Sequence, residues 1–108
     1  MTPKEVFMDK LPGQLKEKGD EVTKVNAIYQ FDVTGDNGGK WWVDTTKSGG
    51  EVGEGENDGA KCTITMVDSD FIDMVEGKLN GQMAFMTGKL KIKGDMSLAM
   101  KLGNVLGL

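Results

Sequence analysis

Few side chains in this 108-residue sequence are suited to catalysis. The sequence contains no histidine and one cysteine, Cys62, and all thirteen of its basic residues are lysines. Without histidine it lacks the commonest general base and metal ligand, and one cysteine cannot form an internal disulfide or a zinc site. Because no histidine can activate Cys62, we interpret it as a packed thiol and not as a nucleophile. We therefore expect a non-catalytic protein that needs no metal and no cofactor.

The glycine-rich acidic segment at residues 50–59 has features of two known binding motifs but matches neither. A calcium-binding loop that began at Glu54 would end on a glutamate at its twelfth position, where this sequence has Thr65. The glycines also lack the strand and the long helix that flank a dinucleotide fingerprint. We interpret this segment as a solvated loop of a hairpin.

The charges of the sequence are unevenly distributed. The formal net charge is -4, yet residues 78–108 contain five lysines and only one acid, Asp95. This cationic third suits an anionic head group or an anionic membrane surface, whereas lysines in an edge strand also serve simply to prevent strand pairing between molecules. Since arginine is absent, the usual bidentate recognition of guanine is missing, and we expect no nucleic-acid partner.

Alternation of apolar and polar residues predicts five strands. They are predicted at residues 25–33, 41–46, 51–56, 61–66 and around Leu90 and Ile92. The glycine-rich turn at residues 35–39 joins the first two strands into a hairpin, and a turn at residues 48–50 leads to the third. The first three strands should therefore be antiparallel.

Short helices are predicted where a capping residue precedes an apolar stripe. The first begins after Thr2, is kinked or divided at Pro12, and ends at Gly19. The second is capped by Asp68 or Ser69 and ends at Gly77, and the third is capped by Asn80 and ends at Gly88. The last runs from Asp95 to Leu106, with Met96, Ala99, Met100 and Val105 or Leu106 toward the sheet.

Methionine is concentrated in these later helices. Five of the eight methionines lie between Met74 and Met100. Methionines at helical spacing usually fill an ordinary core, but flexible thioethers on very short helices also suit an interior that adapts its shape to a ligand. The composition alone leaves both interpretations open.

Three segments of the sequence resemble the sterol carrier protein 2 family, also called non-specific lipid-transfer proteins. They are GGKWWVD, CTITMVDSDF and the block from GKLN through GKLKIKGDMSLAMKL, and they occur in the order that the family shows. The resemblance implies an α+β fold in which about five short helices cover a five-stranded, mostly antiparallel sheet. It also implies a hydrophobic tunnel for a fatty acid, fatty acyl-CoA, sterol or phospholipid, and no catalytic residues.

The side chains that we predict to line this tunnel come from strands and helices alike. They are Phe31, Trp42, Ile64, Met66, Phe71, Met74, Leu79, Met83, Phe85, Met86, Leu90, Ile92 and Met100. Since successive strand residues point to opposite faces, a one-residue error in register exchanges the inward and outward sets. Trp41 and Trp42 must therefore point to opposite faces. The last helix, at residues 95–106, is the predicted lid.

We expect residues 1–108 to form a single domain that acts as a monomer and carries lipid through transient contact with membranes. The alternative is a module that presents substrate to, or assembles with, a fused peroxisomal β-oxidation enzyme. The charged N-terminus shows no secretory signal, so we expect an intracellular protein. The family resemblance implies the peroxisome, but residues 104–108 lack a peroxisomal tripeptide, and the cytoplasm stays an alternative.

Overall fold

The computed structural model describes residues 2–47 and 50–106, without the side chains of residues 102–106. In chain order the elements are α1 (Pro3–Glu5), a π-helical segment (Val6–Lys10), α2 (Leu11–Lys18), α3 (Asp20–Val25), β1 (Ile28–Thr34), β2 (Gly39–Asp44), β3 (Glu51–Glu54), β4 (Cys62–Val67), α4 (Asp68–Val75), α5 (Gly81–Met86), β5 (Leu90–Gly94) and α6 (Met96–Leu106). Most of the turn predicted at residues 48–50 lies outside the described residues, as do the inward side chains predicted at Val105 and Leu106.

The five strands form one mixed sheet in the order β3-β2-β1-β4-β5. The pairs β1–β2, β2–β3 and β4–β5 are antiparallel, whereas β1 and β4 at the centre are parallel. The predicted α+β fold with a five-stranded, mostly antiparallel sheet and short helices is therefore confirmed. The parallel pair requires a crossover, which the chain makes after completing the β1-β2-β3 meander.

Several predicted helix boundaries are confirmed by hydrogen bonds. The Thr2 hydroxyl accepts the Glu5 amide at 3.3 Å, and Asn80 Oδ1 accepts the amides of Gln82 and Met83. At Gly19, which follows α2, the backbone has φ +46°, a conformation that glycine adopts readily. Pro12 lies in the first turn of α2, where a missing amide is tolerated, and the helix that precedes it is π-helical.

The region after α2 differs from the prediction. Residues 25–27 were predicted as the start of a strand, but Asp20–Val25 forms α3 and β1 begins only at Ile28. Val22 and Val25 are both buried, which matches the three-residue spacing of a helix face. Asn26 then adopts a left-handed conformation that ends the helix. The predicted strand was wrong here because Val25 and Ala27 happen to continue the alternation of β1.

The start of α4 also differs from the prediction. Asp68 or Ser69 was predicted as the capping residue, but Asp68 is the first helical residue and Val67 occupies the cap position. The Asp68 carboxylate accepts the Asn37 amide at 3.0 Å instead. This contact connects α4 to the turn between β1 and β2.

The core lies on the face of the sheet that the helices cover. Phe7, from the π-helical segment, is stacked on Trp41 with ring centroids 4.9 Å apart and on Phe71 of α4 at 5.2 Å. Its ring is tilted against Phe31 of β1 at 5.1 Å. All four side chains are buried, and together they form what we call the aromatic cluster. This cluster packs the β1–β2 side of the interior with rigid rings.

We predict that Phe7→Ala lowers the free energy of unfolding by about 3–5 kcal/mol, because it removes the ring that contacts the other three. Met8→Ala, at the neighbouring and partly exposed position, should cost less than about 1 kcal/mol. Urea denaturation monitored by tryptophan fluorescence measures both values. Equal losses in the two variants would contradict a stabilising role for the aromatic cluster.

Candidate functional site

A cavity of about 490 Å³ lies between the sheet and the last three helices. Strands β1, β4 and β5 contribute its floor through Phe31, Ile64, Leu90 and Ile92, while α4, α5 and α6 supply the remaining walls. The strand residues share one face because they alternate with Asp32, Thr63, Lys91 and other residues of the opposite face. The register pairs Phe31 with Ile64 and Ile64 with Ile92, so three neighbouring strands present an apolar row.

Most of the predicted lining residues are brought together here. The predicted residues that line the cavity are Phe31, Ile64, Met74, Phe85, Met86, Leu90, Ile92 and Met100. Contact of these side chains with a lipid stays a prediction. Their convergence shows that the apolar pattern of residues 64–100 forms a concave surface as well as a packed core.

Trp42 lies on the other face of the sheet and away from the cavity. It pairs with Gln30, whereas Trp41 pairs with Phe31 and enters the aromatic cluster. The Trp42 indole lies directly against Gly53 of β3, where the missing side chain leaves room for the ring. The predicted inward face of this strand was therefore wrong by one residue, so that Trp42 was predicted in the place that Trp41 occupies.

Four further predicted residues do not line the cavity. Phe71 is stacked on Phe7, and Met66 is buried in the core cluster. Leu79 packs against the same core, while Met83 is exposed on α5. Which face of a short helix points toward the cavity depends on tertiary contacts, which the local pattern does not reveal.

Five lining residues were absent from the predicted set. They are Asn80, Gly81, Gln82, Met96 and Ala99. Met96 and Ala99 share a helix face with Met100, a spacing that predicted their direction toward the sheet. Asn80 and Gln82 are polar, and the lining was predicted from apolar side chains alone.

Helix α6 is held over the cavity by two sets of hydrogen bonds. Asp95 Oδ1 accepts the amides of Ser97 and Leu98 at 2.9 and 3.4 Å, which confirms that Asp95 caps this helix. The buried Tyr29 hydroxyl of β1 donates to the Leu98 carbonyl at 2.5 Å. Burial raises the pKa of Tyr29 above its usual value, with smaller contributions from Cys62 and Asp95. Tyr29 therefore stays a neutral donor at physiological pH.

Cys62 is buried beside these groups and does not line the cavity. Burial, assisted by the Asp95 carboxylate, raises the pKa of its thiol to about 11. The protonated form predominates near neutral pH, and a thiol is a much weaker nucleophile than a thiolate. This geometry supports the interpretation of Cys62 as a packed side chain.

Exposed apolar side chains line part of the cavity, and exposed lysines lie on neighbouring elements. Phe85, Met86, Met96 and Met100 line the cavity and are also substantially exposed. The exposed lysines Lys89, Lys91, Lys93 and Lys101 lie on or next to β5 and α6, the elements that carry part of this lining. Because β5 is an edge strand, the predicted edge location of its lysines is confirmed.

In residues 2–47 and 50–106, no group of three or more histidine, cysteine, aspartate or glutamate side chains could hold a metal ion. No helix in this part of the chain is long and apolar enough to cross a bilayer.

The fold and its cavity define a small α+β domain in which helices and a sheet border an apolar cavity that is partly open to solvent. The model of the SCP-2 sterol transfer family matches residues 8–107, and the chain belongs to this family. The apo form of sterol carrier protein 2 from Yarrowia lipolytica is 36% identical, with a TM-score of 0.71. That alignment covers 94% of this chain and 81% of the Yarrowia chain.

Two curated relatives are longer proteins. Hydroxysteroid dehydrogenase-like protein 2 from Mus musculus is 49% identical over 85 residues, which cover 77% of this chain and 17% of the mouse protein. Sterol carrier protein 2 from Homo sapiens is 47% identical over 96 residues, which cover 85% of this chain and 18% of the human protein. The chain therefore spans less than a fifth of the length of these two relatives.

We predict that Asp95→Ala loosens α6, because the Ser97 and Leu98 amides lose their acceptor. A lost N-cap costs about 1 kcal/mol, whereas Asp95→Asn preserves a capping oxygen and should cost little. Hydrogen exchange should become faster at the α6 amides of Asp95→Ala and stay unchanged in α4. If Asp95→Asn accelerated exchange as much as Asp95→Ala, the cap would not be what holds the helix.

Proposed function

We propose that this chain binds one apolar lipid in the cavity and carries it without catalysing a reaction. The ligand class is a long-chain fatty acid, fatty acyl-CoA, sterol or phospholipid. The observation that carries the proposal is the apolar cavity of about 490 Å³ in a member of the SCP-2 sterol transfer family. This volume lies within the range of roughly 300–1,000 Å³ that is typical of small-molecule sites.

The hydrophobic effect supplies enough free energy for this function. Burying about fifteen methylenes at ~0.8 kcal/mol each yields roughly 12 kcal/mol before costs. Association costs on the order of 4–15 kcal/mol, so at the low end of that cost about 8 kcal/mol remains, which corresponds to micromolar affinity with few polar contacts. Since one methylene more or less changes the affinity little, discrimination by chain length should be weak.

The polar end of the ligand is best accommodated at the start of α5. Asn80 and Gln82 are the side chains with amide groups in the lining, and both are exposed. Asn80 Oδ1 is occupied by the helix cap, which leaves its NH₂ group as a donor. A carboxylate or hydroxyl at this position would stay near water while the hydrocarbon enters the cavity.

The exposed apolar lining and the lysines on or next to β5 and α6 suit contact with a membrane that donates or accepts the lipid. Exposed methionine and phenylalanine side chains can enter the head-group region, and neighbouring lysines are attracted to anionic lipids. Helix α6 is the proposed lid, because Met96, Ala99 and Met100 form one wall of the cavity and the Tyr29 hydroxyl connects the helix to the sheet.

We propose that residues 1–108 act as one lipid-binding domain, as a monomer and inside the cell. The family resemblance favours the peroxisome, with the cytoplasm as the alternative compartment. A second function is presentation of a lipid to an enzyme within a longer polypeptide. The specific observation in its favour is that the match covers only 17% of the mouse dehydrogenase-like protein.

We predict that Ala99→Trp, which inserts an indole into the cavity, lowers the affinity for a fluorescent fatty acid at least ~10-fold, as expected for a loss of about 1.4 kcal/mol. Ser97→Trp, on the same helix but exposed, is the matched control and should bind normally. Circular dichroism verifies folding of both proteins. Unchanged affinity in a folded Ala99→Trp protein would refute binding in this cavity.

We predict that replacing Lys91, Lys93 and Lys101 with glutamate slows lipid transfer to anionic vesicles several-fold at low salt, because the attraction to the vesicle surface is reversed. Replacing Lys16, Lys18 and Lys24 with glutamate gives the same charge change on α2 and α3 and should have a smaller effect. Stopped-flow transfer of a fluorescent fatty acid measures both rates.

The vesicle assay also separates the two functions. Equal rates for the two lysine variants would eliminate attraction by the lysines of β5 and α6. If the protein binds the fatty acid but never raises the transfer rate above that of vesicles alone, presentation to an enzyme is the better account.

A further inference from the structure

The cavity wall contains four thioethers in addition to its hydrocarbon side chains. Met74 comes from α4, Met86 from α5, and Met96 and Met100 from α6. The other apolar side chains of the lining are aliphatic or phenyl groups, which peroxides do not oxidise under mild conditions. Methionine is oxidised to its sulfoxide, and the change is reversible in cells. A ligand in this cavity therefore lies next to thioethers that a peroxide can oxidise.

We propose that these four methionines reduce the hydroperoxide of a peroxidised lipid bound in the cavity. A sulfur lone pair attacks the terminal oxygen of the hydroperoxide, the S–O bond forms and the O–O bond breaks. The alkoxide that leaves takes up the hydroperoxide proton, so the products are one lipid alcohol and one methionine sulfoxide. Sulfur is oxidised by two electrons and the peroxide is reduced by two, and no other reactant is needed.

This inference rests on the proposed lipid binding, which supplies the reactant. Binding replaces a slow encounter in solution with a contact inside the cavity, and such proximity raises the effective concentration greatly. Because the thioethers come from three helices, hydroperoxides at different positions along an acyl chain can reach one of them. Cys62 does not compete, since it lies outside the lining and its thiol is protonated near neutral pH.

The chain provides its own controls in three pairs of methionines with similar exposure. In each pair the first residue lines the cavity and the second does not. The pairs are Met74 and Met66 at 4% and 2% exposed, Met96 and Met8 at 45% and 41%, and Met100 and Met83 at 63% and 55%. Oxidation from solvent should follow exposure and treat both members of a pair alike, whereas oxidation by a bound ligand should select the first member.

The experiment treats the full chain with an equimolar amount of linoleic acid hydroperoxide and maps methionine sulfoxide by peptide mass spectrometry. We expect the cavity member of each pair to be oxidised ~10-fold more than its partner, because the bound hydroperoxide has a higher effective concentration at the cavity methionines. The hydroxy fatty acid, which is the lipid alcohol formed by reduction, should appear in a one-to-one ratio with methionine sulfoxide. Hydrogen peroxide, run in parallel, should oxidise the members of each pair to similar extents.

Two further measurements complete the test. Excess stearate should abolish the selectivity by occupying the cavity, and the double variant Met8→Leu, Met83→Leu should form as much alcohol as the wild type. Equal oxidation within the pairs by the lipid hydroperoxide would overturn the inference, as would a loss of alcohol in the double variant. Displacement of a fluorescent fatty acid by stearate tests lipid binding separately, so failure of the proposed function is distinguishable from failure of this inference.

Discussion

The contact of one ring, Phe7, with three others determines how the interior of this protein is divided. Rings from β1, β2 and α4 meet around it, so the β1–β2 side is filled by rigid groups at 4.9–5.2 Å between centroids. Phe31 belongs to this cluster and also lines the cavity. The Phe31 ring therefore lies at the boundary between the solid half of the interior, which the aromatic cluster fills, and the hollow half, which contains the cavity. The solid half gives the sheet a fixed position, which allows the other half to remain open without loss of the fold.

The hollow half, which contains the cavity, is formed by short helices and more flexible side chains. Its helices have six to eleven residues, end at glycines or begin at side-chain caps, and contribute methionine where the other half has aromatic rings. Short helices bury little surface each, and unbranched thioethers have many rotamers of similar energy. The wall can therefore adjust to ligands of different shape. The proposed breadth of ligand choice would follow from these flexible side chains as much as from the volume of the cavity.

Local signals in the sequence were sufficient for much of the fold and for part of the cavity. Caps at Thr2, Asn80 and Asp95 depend on neighbours three residues away or fewer, and alternation within a strand is equally local. The exchange of Trp41 with Trp42 has another origin, because both orientations satisfy the alternation and only the partner strands choose between them. The position of Phe7 likewise depends on contacts with distant residues, which no periodicity reveals. Contacts between distant residues also decide whether apolar helix faces pack into a core or surround a cavity.

The parallel pairing of the two central strands has a consequence for synthesis of the chain. The meander of β1, β2 and β3 is complete before β4 emerges from the ribosome, yet one edge of β1 has no neighbour until β4 arrives. A nascent chain that has emerged only as far as the acidic loop after β3 would display unpaired backbone amides and carbonyls of β1, flanked by Tyr29, Phe31 and Val33. Such an edge pairs readily with other chains. Rapid translation through this interval, or a chaperone that shields it, would therefore benefit production of the protein.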